Sequence, residues 1–517
     1  MEAFQVTHLV YQILASRKRR IAARIRHDHR PSAVPMLAAS NLHYELSARA
    51  RGIAMGGIGA VHLLARNCGL IEALDRKLHL LKVHLPYHES DHVLNIAYNL
   101  LAGGTCLEDL ETLRQDEGFL DALGATRIPD PTTAGDFCRR FTEADVWTLL
   151  DVCNQTRKNL WTLQKPEFFK QAILDADGTL APTTGECKQG MDISYDGHWG
   201  YHPLVVSLAN TKEPLFLVNR PGNRPSHEGA AACFDKSILL CREAGFKAIL
   251  LRGDTDFSQT QYLDGWHAQK DVKFLFGIDA TKPLRARADA VPETAWKKLE
   301  RPAKYQVQTQ PRRRPENVKE EIVKAREFEN IRLVSEDVAE FEYQPVACKR
   351  AYRVVVVRKN LSVEKGERVL FDNVRYFFYI TNITDLSAAE IVFLANDRCD
   401  QENLIQQRKS GVQAMKMPVD NLVSNWAYMV MAALAWSLKA WLALALPESP
   451  GRWQERHAQQ KRQLLGMEFK TFLAALIRMP CQIVKTGRRI VYRLLSWNPW
   501  QGVFLRLAEA VRRPLLR

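Results

Sequence analysis

Two aspartates and one glutamate have the type and spacing that carboxylate chemistry needs. Asp177 ends the apolar run ILDAD, and Asp254 ends the run ILLRGD. Both runs are typical of buried strands, and strand ends are where α/β sheets usually build their sites. Glu402 lies in the polar helix NDRCDQENLIQQRKSG. Arg398, four residues before Glu402, and Lys409, seven residues after it, share its helical face.

Carboxylates that a fold brings together have two chemical uses. They can share a proton for acid–base work, or hold two Mg²⁺ ions about 4 Å apart for phosphoryl chemistry. Each residue alone also has a plainer explanation, because a strand-end Asp is often a helix cap. Glu402 with Arg398 could equally be a surface pair that contributes about half a kcal/mol. The metal interpretation therefore depends on all three acids occurring together.

The elements that must position these acids follow from the apolar periodicity. Residues 55–165 have helical spacing, and residues 171–279 alternate between strands and helices, with helices at about 228–244 and 258–269. Residues 351–360 and 374–382 are strongly strand-like. Three strands, a helix, a strand, a helix and a strand predict an α/β architecture with a mixed sheet.

One segment, Trp426–Leu446, is long and apolar enough to mimic a membrane span. Ser437 and Lys439 interrupt it, and we favour a buried core helix. The start of the chain places its charges after the first apolar stretch, which is unlike a secretory signal. The ten cysteines are scattered without a CxxC pair, which indicates a reduced, intracellular protein and argues against a zinc ribbon.

The excess positive charge lies at the two ends of the chain. The formal net charge is +14, from 72 Lys and Arg against 58 Asp and Glu. Residues 1–51 carry +6 and residues 451–517 carry +11, so the body between them is slightly acidic. Two basic arms favour a polyanionic partner. Nucleic acid is the first candidate, since cations that neutralise phosphates release counterions, and an anionic membrane is the rival. The basic arms also favour the interpretation that the acids hold metal ions. If DNA is the partner, bare carboxylates would repel its phosphates unless a divalent metal inverted the local charge.

Several arginines outside the acidic group are candidate phosphate contacts. The stretch PTTAGDFCRRF predicts a helix capped by Thr132 or Thr133 that carries two of them, and a Pro-flanked loop, which could equally be only solvated, carries three. Predicted C-terminal helices carry two more, beside Lys485 and Arg493, and form a DNA or dimer arm. In chain order these candidates are Arg139, Arg140, Arg312, Arg313, Arg314, Arg488 and Arg489.

The acids and their neighbours resemble the motifs of DDE transposases from bacterial insertion sequences. Asp177-Gly178-Thr179 resembles the DxT first-acid motif, and Arg252–Phe257 resembles the RxDxxF second-acid motif. Arg398, Glu402 and Lys409 match the last three residues of the Tyr–Arg–Glu–Lys signature. Asp254 and Glu402 are 148 residues apart. This separation resembles that of the branch of DDE transposases in which a β-rich insertion splits a ribonuclease-H-like core. Within that branch, residues 40–500 resemble the thirteen-eighty insertion-sequence family.

Two positions depart from the family pattern, and one acid has a rival. Ala395 stands where the signature has its tyrosine. Asp256 stands where the family usually has a small residue, and it could bind metal or cap a helix starting near Ser258. Asp175, two residues before Asp177, is the alternative first acid because it points to the same sheet face.

The resemblance implies a DNA transposase that binds terminal inverted repeats, cleaves the ends by metal-dependent phosphodiester hydrolysis and joins the 3′-OH ends to target DNA. Asp177, Asp254 and Glu402 would hold two Mg²⁺ ions, for which Mn²⁺ substitutes, and Arg398 and Lys409 would contact scissile-strand phosphates. The expected partners are double-stranded DNA and a second copy of the chain, with no membrane, in the bacterial cytoplasm at the nucleoid. The alternative is a catalytically weak or inactive DNA-binding regulator, for which Ala395 is the hint.

The implied fold is a ribonuclease-H-like mixed sheet interrupted by a β-rich insertion and flanked by helical DNA-binding and dimerisation regions. The predicted segments are a basic arm (1–50), a helical DNA-binding domain (51–165), the first part of the core (166–284), the β-rich insertion (285–384), the second part of the core (385–446) and a basic helical arm (447–517).

Two further motifs have structural explanations that we favour. The aromatic run Tyr376–Tyr379 could hold a flipped base, but alternate residues of a strand must also fill a core. His202 in Tyr201-His202-Pro203 could touch DNA, but it is better explained as a structural histidine in a turn.

Overall fold

The computed structural model describes residues 8–25, 42–43, 50–84, 86–301, 318–365 and 368–515. Helices dominate the beginning of the chain, and long strands occupy its middle. The predicted α/β class is therefore confirmed in its general form, as a combination of helices and mixed sheets. The division of the chain into domains stays a prediction.

The segment before the central sheet is almost entirely helical. Its elements are α1 (His8–Ile25), β1 (Arg51–Ile53), α2 (Ile58–Asn67), α3 (Leu70–Lys77), α4 (Glu89–Ala102), α5 (Leu110–Arg114), α6 (Glu117–Leu123), α7 (Pro131–Arg139) and α8 (Glu143–Trp161). The predicted cap of α7 is wrong. Asp130 caps this helix by accepting a hydrogen bond from the Thr133 N–H (2.9 Å), and Pro131, which needs no N–H partner, takes the first position.

The middle of the chain builds the sheets. Its elements are β2 (Ala172–Gly178), β3 (Ala181–Pro182), β4 (Asp192–Ile193), β5 (Trp199–Tyr201), β6 (Leu204–Leu208), β7 (Glu213–Val218), α9 (Ala230–Ala244), β8 (Ile249–Gly253), α10 (Leu263–His267), β9 (Val272–Ile278), α11 (Lys282–Asp289), β10 (Lys297–Lys298), α12 (Val318–Ala325), β11 (Glu329–Tyr343), β12 (Tyr352–Lys365) and β13 (Arg368–Thr381).

Nine of these strands form one mixed sheet in the order β10-β11-β12-β13-β9-β8-β2-β6-β7. The pairs β2–β8 and β8–β9 are parallel, and every other neighbouring pair is antiparallel. The two parallel pairs matter for function, because they bring the carboxyl ends of β2, β8 and β9 to the same edge of the sheet.

The strands predicted as a β-rich insertion continue this sheet. β11, β12 and β13 are long antiparallel strands, and the end of β13 pairs with β9, with Phe378 opposite Ile278 and Thr381 opposite Leu275. Their β-branched and aromatic residues account for the strand structure. The basic knot Arg312–Arg314 lies outside the described residues.

The last part of the chain returns to helices. Its elements are α13 (Ala388–Asn396), α14 (Cys399–Gln406), α15 (Leu422–Ala445), α16 (Gln454–Gly466), α17 (Phe469–Phe472), β14 (Cys481–Lys485), β15 (Ile490–Leu494) and α18 (Gln501–Ala510). α15 is long and apolar enough to cross a membrane, but its apolar window is 100% buried inside the described protein. The indole N–H groups of Trp426 and Trp441 donate to Leu217 and Glu213 of β7. The prediction of a buried core helix is confirmed.

Two helix predictions are wrong. Residues 481–494, predicted as helical, form the antiparallel hairpin β14–β15, because Ile483 and Cys481 alternate with more exposed residues and Thr486-Gly487 supplies the turn. β14 also pairs with β1. The helix predicted over residues 258–269 shrinks to α10, because the short 3₁₀ turn Thr260–Tyr262 occupies its first half.

Candidate active site

Asp177 and Asp254 lie side by side at the sheet edge. β2 and β8 run parallel, with Asp175 opposite Arg252, so the acids that follow these residues meet where the two strands end. Asp254 turns the chain, since its Oδ1 accepts a hydrogen bond from the Asp256 N–H at 3.1 Å. A side chain at Gly277 of β9 would place a Cβ within 2.9 Å of the backbone nitrogen of Thr255, so this turn requires glycine beside it.

The guanidinium of Arg398 lies between the two aspartates. Its Nη1 is 3.4 Å from Oδ2 of Asp177, and its Nη2 is 3.9 Å from Oδ2 of Asp254. The exposed fraction of the side chain is 17% for Arg398, 15% for Asp177 and 37% for Asp254. The three charges are therefore largely shielded from water, where their interactions are stronger than on the surface.

Burial and crowding of negative charge make both aspartates unusually basic. Burial raises the pKa of Asp177 to about 7, with Arg398 opposing the rise and the charges of Asp254 and Glu402 adding to it. Burial also raises the pKa of Asp254, again against Arg398, and Asp256 and Asp279 contribute to the rise. Perturbed carboxylates in a cleft are typical of functional sites.

Glu402 and Lys409 complete the group. Glu402 is exposed on α14 and close enough to raise the pKa of Asp177. Lys409 is half-buried; burial lowers its pKa, and the charge of Asp177, which is near enough to act on it, opposes the change. It lies in a single wide π turn, Gln407–Gly411, which follows α14. Such turns often occur at functional sites.

A buried arginine ties the strand edge to the segment that carries Arg398. Arg252 donates from Nε and Nη2 to the two carboxylate oxygens of Asp175, at 2.7 and 2.8 Å, and both side chains are buried. Its Nη1 donates to the carbonyl oxygen of Leu394 in α13, at 2.8 Å. Both oxygens of Asp175 are therefore engaged by Arg252, which leaves Asp177 as the carboxylate that faces the cleft.

A buried glutamine holds α14 to the other side of the edge. The hydroxyl of Ser207 in β6 donates to Oε1 of Gln401, and Nε2 of Gln401 donates to the carbonyl oxygen of Val205 at 3.4 Å. Arg252 and Gln401 thus fix the chain on both sides of Arg398. Sequence reasoning missed both anchors. The pairing of Arg252 with Asp175 could have been predicted from the parallel register of the two strands, which places them opposite each other. Nothing in the sequence indicated the contacts of Gln401.

A pocket of about 370 Å³ opens beside the acids. Asp254, Asp279, Arg398 and Glu402 form its polar wall, and Ala395, at the position of the signature tyrosine, also lines it. The aromatic run Tyr376–Tyr379 forms the opposite wall.

The interpretation of the aromatic run as core is correct for Tyr376, Phe378 and Tyr379 and wrong for Phe377. Phe378 is buried, whereas the ring of Phe377 is 44% exposed. The Nζ atom of Lys359 lies 4.8 Å from the centroid of the Phe377 ring. Tyr376 packs against the same core as Phe378, and Tyr379 packs against a second core, so Phe377 is the exposed member of the run.

Two ambiguous residues have clear surroundings. The exposed Asp256 lies inside the turn Thr255–Phe257, which Asp254 caps, and the next turn, Thr260–Tyr262, has Gln259 at its N-cap, so Asp256 caps neither. His202 is buried, its Nδ1 lies 2.7 Å from the carbonyl oxygen of Arg224, and its backbone N–H donates to the carbonyl of Arg220. These contacts fit the structural explanation of His202.

The other predicted DNA contacts lie apart from this group. Arg139 pairs with Asp136 at 2.8 Å and with Asp420 at 3.1 Å, so its charge is already balanced. Arg140 is exposed at the end of α7. Arg488 and Arg489 are exposed at the tip of the β14–β15 hairpin. Their roles, like those of the acids, stay predictions.

The donor chemistry of the site fits a hard divalent cation, which prefers carboxylate oxygens. As placed, no three Asp, Glu, His or Cys side chains among the described residues are close enough together to hold an ion. Arg398 supplies the positive charge between Asp177 and Asp254 instead.

Comparisons with known proteins identify the family. A family model described as transposase DDE domain group 1 matches residues 45–515. No curated protein matches the sequence. Among solved structures, a cryo-EM structure of the piggyBac transposase synaptic complex with hairpin DNA matches at 9% identity and a TM-score of 0.35, over 83% of this chain and 84% of that chain. Because the family model spans most of the chain, including all three acids, the chain belongs to the transposase DDE domain group 1 family.

Proposed function

We propose that this protein is an active DNA transposase that binds the terminal inverted repeats of its insertion sequence, cleaves the ends and joins the 3′-OH ends to target DNA. One observation carries the proposal. Asp177, Asp254 and Glu402, which are far apart in sequence, converge with Arg398 and Lys409 at one edge of the sheet. The assignment to the thirteen-eighty family and to a bacterium stays a prediction.

The sheet topology supports a ribonuclease-H-like core. In the order β7-β6-β2-β8-β9, strands β7, β6 and β2 are antiparallel neighbours, and β8 and β9 continue the sheet parallel to β2. Helix α9 lies between β7 and β8 in the chain, and helix α10 lies between β8 and β9. In this interpretation, β11–β13 form the insertion that separates the second acid from the third.

We infer that Asp177, Asp254 and Glu402 hold the divalent metal, two Mg²⁺ ions or Mn²⁺ in their place. When bound, such ions neutralise phosphate charge and act as Lewis acids on the phosphodiester. Carboxylates bind a metal ion only when they are ionised. Asp177 must therefore lose its proton on metal binding, although burial favours the protonated form.

Arg398 and Lys409 are the cations that would bind phosphate oxygens of the scissile strand. Arg398 lies between the acids and its side chain is only 17% exposed, and Lys409 is half-buried near Asp177, which strengthens a contact with phosphate. The pocket beside Asp254 offers space for a nucleotide next to these groups. Holding the phosphate in position supplies much of the catalysis in phosphoryl transfer.

The proposed partners are duplex DNA and a second copy of the chain in a synaptic complex. The basic termini support the first partner. We place the protein in the bacterial cytoplasm at the nucleoid, where its DNA substrate lies.

The test is cleavage of a labelled duplex that carries the element's end, with Mg²⁺ or Mn²⁺, by the wild type and by Asp254→Ala. We expect metal-dependent nicking at the end boundary by the wild type and none by the variant. Asp271→Ala is the matched control, because Asp271 precedes β9 at the opposite end of the strands and pairs with Arg242 on the surface. Nicking that survives Asp254→Ala would overturn the proposal.

A second candidate function is a DNA-binding regulator with weak or no catalysis. Ala395 favours it, because the pocket wall has a methyl group where the family signature has a phenol. Tight binding of the element's end without cleavage by the wild type would support this candidate.

A further inference from the structure

The N-terminal helix is fixed to the C-terminal hairpin. Along α1, Val10, Leu14, Arg17 and Ile21 recur at helical spacing and are the half-buried residues of one face. From this face, Nη1 of Arg17 donates to the carbonyl oxygens of Leu494 (3.0 Å) and Ser496 (3.1 Å). The two ends of the chain, 477 residues apart in sequence at this contact, therefore meet.

A second set of contacts joins α16 and α18 to the same place. Nη2 of Arg506 on α18 donates to Oε1 of Gln460 on α16. Burial lowers the pKa of Arg506, with Tyr11 of α1 opposing the change and Arg456 of α16 adding to it. Arg506 therefore lies among α1, α16 and α18.

Unbalanced positive charge lies on either side of this junction, on α1 and at the hairpin tip, which is the end of β14–β15 away from Leu494. Lys18, Arg19 and Arg20 are exposed on α1, and Arg488 and Arg489 are exposed at the hairpin tip. Within the described ranges, none of these five residues has an acidic side chain within 4.0 Å. The acids that do lie nearby are already paired: Asp121 with Lys485, and Glu509 with Arg512 and Arg513.

We propose that α1 and the β14–β15 hairpin form one composite surface that binds duplex DNA through its phosphates, separately from the acidic site. This inference rests on the proposed function and adds a second DNA contact to it. The partner that matches this surface carries a dense row of negative charges. Five exposed cations without acidic partners would neutralise phosphates of such a partner, and the release of counterions would add to the affinity.

The first test measures the affinity of the full-length protein for a fluorescent duplex over a range of salt concentrations, with EDTA present. Arg488→Gln/Arg489→Gln should weaken binding by about tenfold and reduce the slope of log affinity against log salt by about two. Lys18→Gln/Arg19→Gln/Arg20→Gln should reduce that slope by about three. The control Lys247→Gln/Lys270→Gln removes two exposed cations from the opposite end of β8 and β9 and should leave affinity and slope unchanged.

Three comparisons separate the possible partners. An unrelated duplex should lose affinity to the same extent as the element's end, because phosphate contacts carry no sequence information. Vesicles of anionic phospholipid should bind weakly and equally to all variants. Loss of vesicle binding together with unchanged DNA binding in the two basic variants would overturn the proposal in favour of a membrane.

The inference and the proposed function fail in different ways. Asp254→Ala should bind the duplex like the wild type in EDTA, because Asp254 is not part of this surface. If both basic variants keep the wild-type affinity and salt slope, the composite surface is refuted even where cleavage is normal. If no protein cleaves DNA but the basic variants lose affinity, the surface is supported and the catalytic proposal is not.

Discussion

The Nη1 atom of Arg398 lies 3.4 Å from Oδ2 of Asp177. A side-chain cation thereby takes the place beside the first acid that a divalent metal needs. Because Nη2 of the same guanidinium lies 3.9 Å from Asp254, Arg398 balances two acids at once. Arg398 is thus the shared counter-charge of both acids, and the proposed metal would compete with it.

Removal of Arg398 should increase metal affinity in the absence of DNA. We expect Arg398→Ala to lower the dissociation constant for Mn²⁺ by about tenfold, equivalent to about 1.4 kcal/mol, because two carboxylates lose their counter-charge. Titration of free Mn²⁺ by electron paramagnetic resonance measures this. Arg242→Ala, which breaks a surface pair with Asp271, is the control and should not change the affinity. Unchanged or weaker Mn²⁺ binding by Arg398→Ala would contradict the competition.

The raised pKa of Asp177 predicts a pH-dependent loss of stability in the metal-free protein. The folded pKa is about 7, above the ordinary value of 3.8, so the folded state keeps a proton that the unfolded state has released. Stability therefore falls as pH rises between these values and stays low above 7. Asp177→Asn should raise the free energy of unfolding at pH 8 by about 1–4 kcal/mol and have little effect near pH 4. Urea unfolding in EDTA at both pH values tests this, and an equal effect at both would contradict it.

The buried pair of Arg252 and Asp175 should be strongly coupled. Arg252→Met leaves the Asp175 carboxylate buried without its partner and should cost about 3–5 kcal/mol of folding free energy. Adding Asp175→Asn should recover most of that loss, because the unpaired charge disappears. A double-mutant cycle by urea denaturation gives the coupling. Additive effects would show that the two residues do not act as a pair.

The pocket position of Ala395 predicts a gain from the signature residue. If the missing phenol limits cleavage, Ala395→Tyr should raise the rate of nicking of the element's end about tenfold or more, since it restores an aromatic contact beside Asp254 and Glu402. Ala280→Tyr, in the same pocket wall, is the matched control and should give no gain. A loss of activity in Ala395→Tyr would show that this chain uses the space differently.

Local patterns in the sequence predicted the strands of the sheet and the acids at their ends. Apolar runs set β2, β8 and β9, and Asp177 and Asp254 follow directly from where the first two of those runs stop. The position of Arg398 between the acids could not be predicted, because it depends on how α13 and α14 pack on an edge formed more than 140 residues earlier. The contact of Arg17 with the hairpin was hidden for the same reason. The helical prediction for the segment of Lys485 and Arg493 is wrong because Ile483, Val484 and Val491 favour strands.

The most direct test of the central claim is whether the three acids act as one site. The measurement is the metal-dependent cleavage rate of Asp177→Ala, Asp254→Ala, Glu402→Ala and the triple variant on the element's end. Residues that share one task are strongly non-additive. We predict that each single variant loses as much activity as the triple variant, with duplex binding in EDTA unchanged. Partial losses that multiply to give the loss of the triple variant would contradict a shared site.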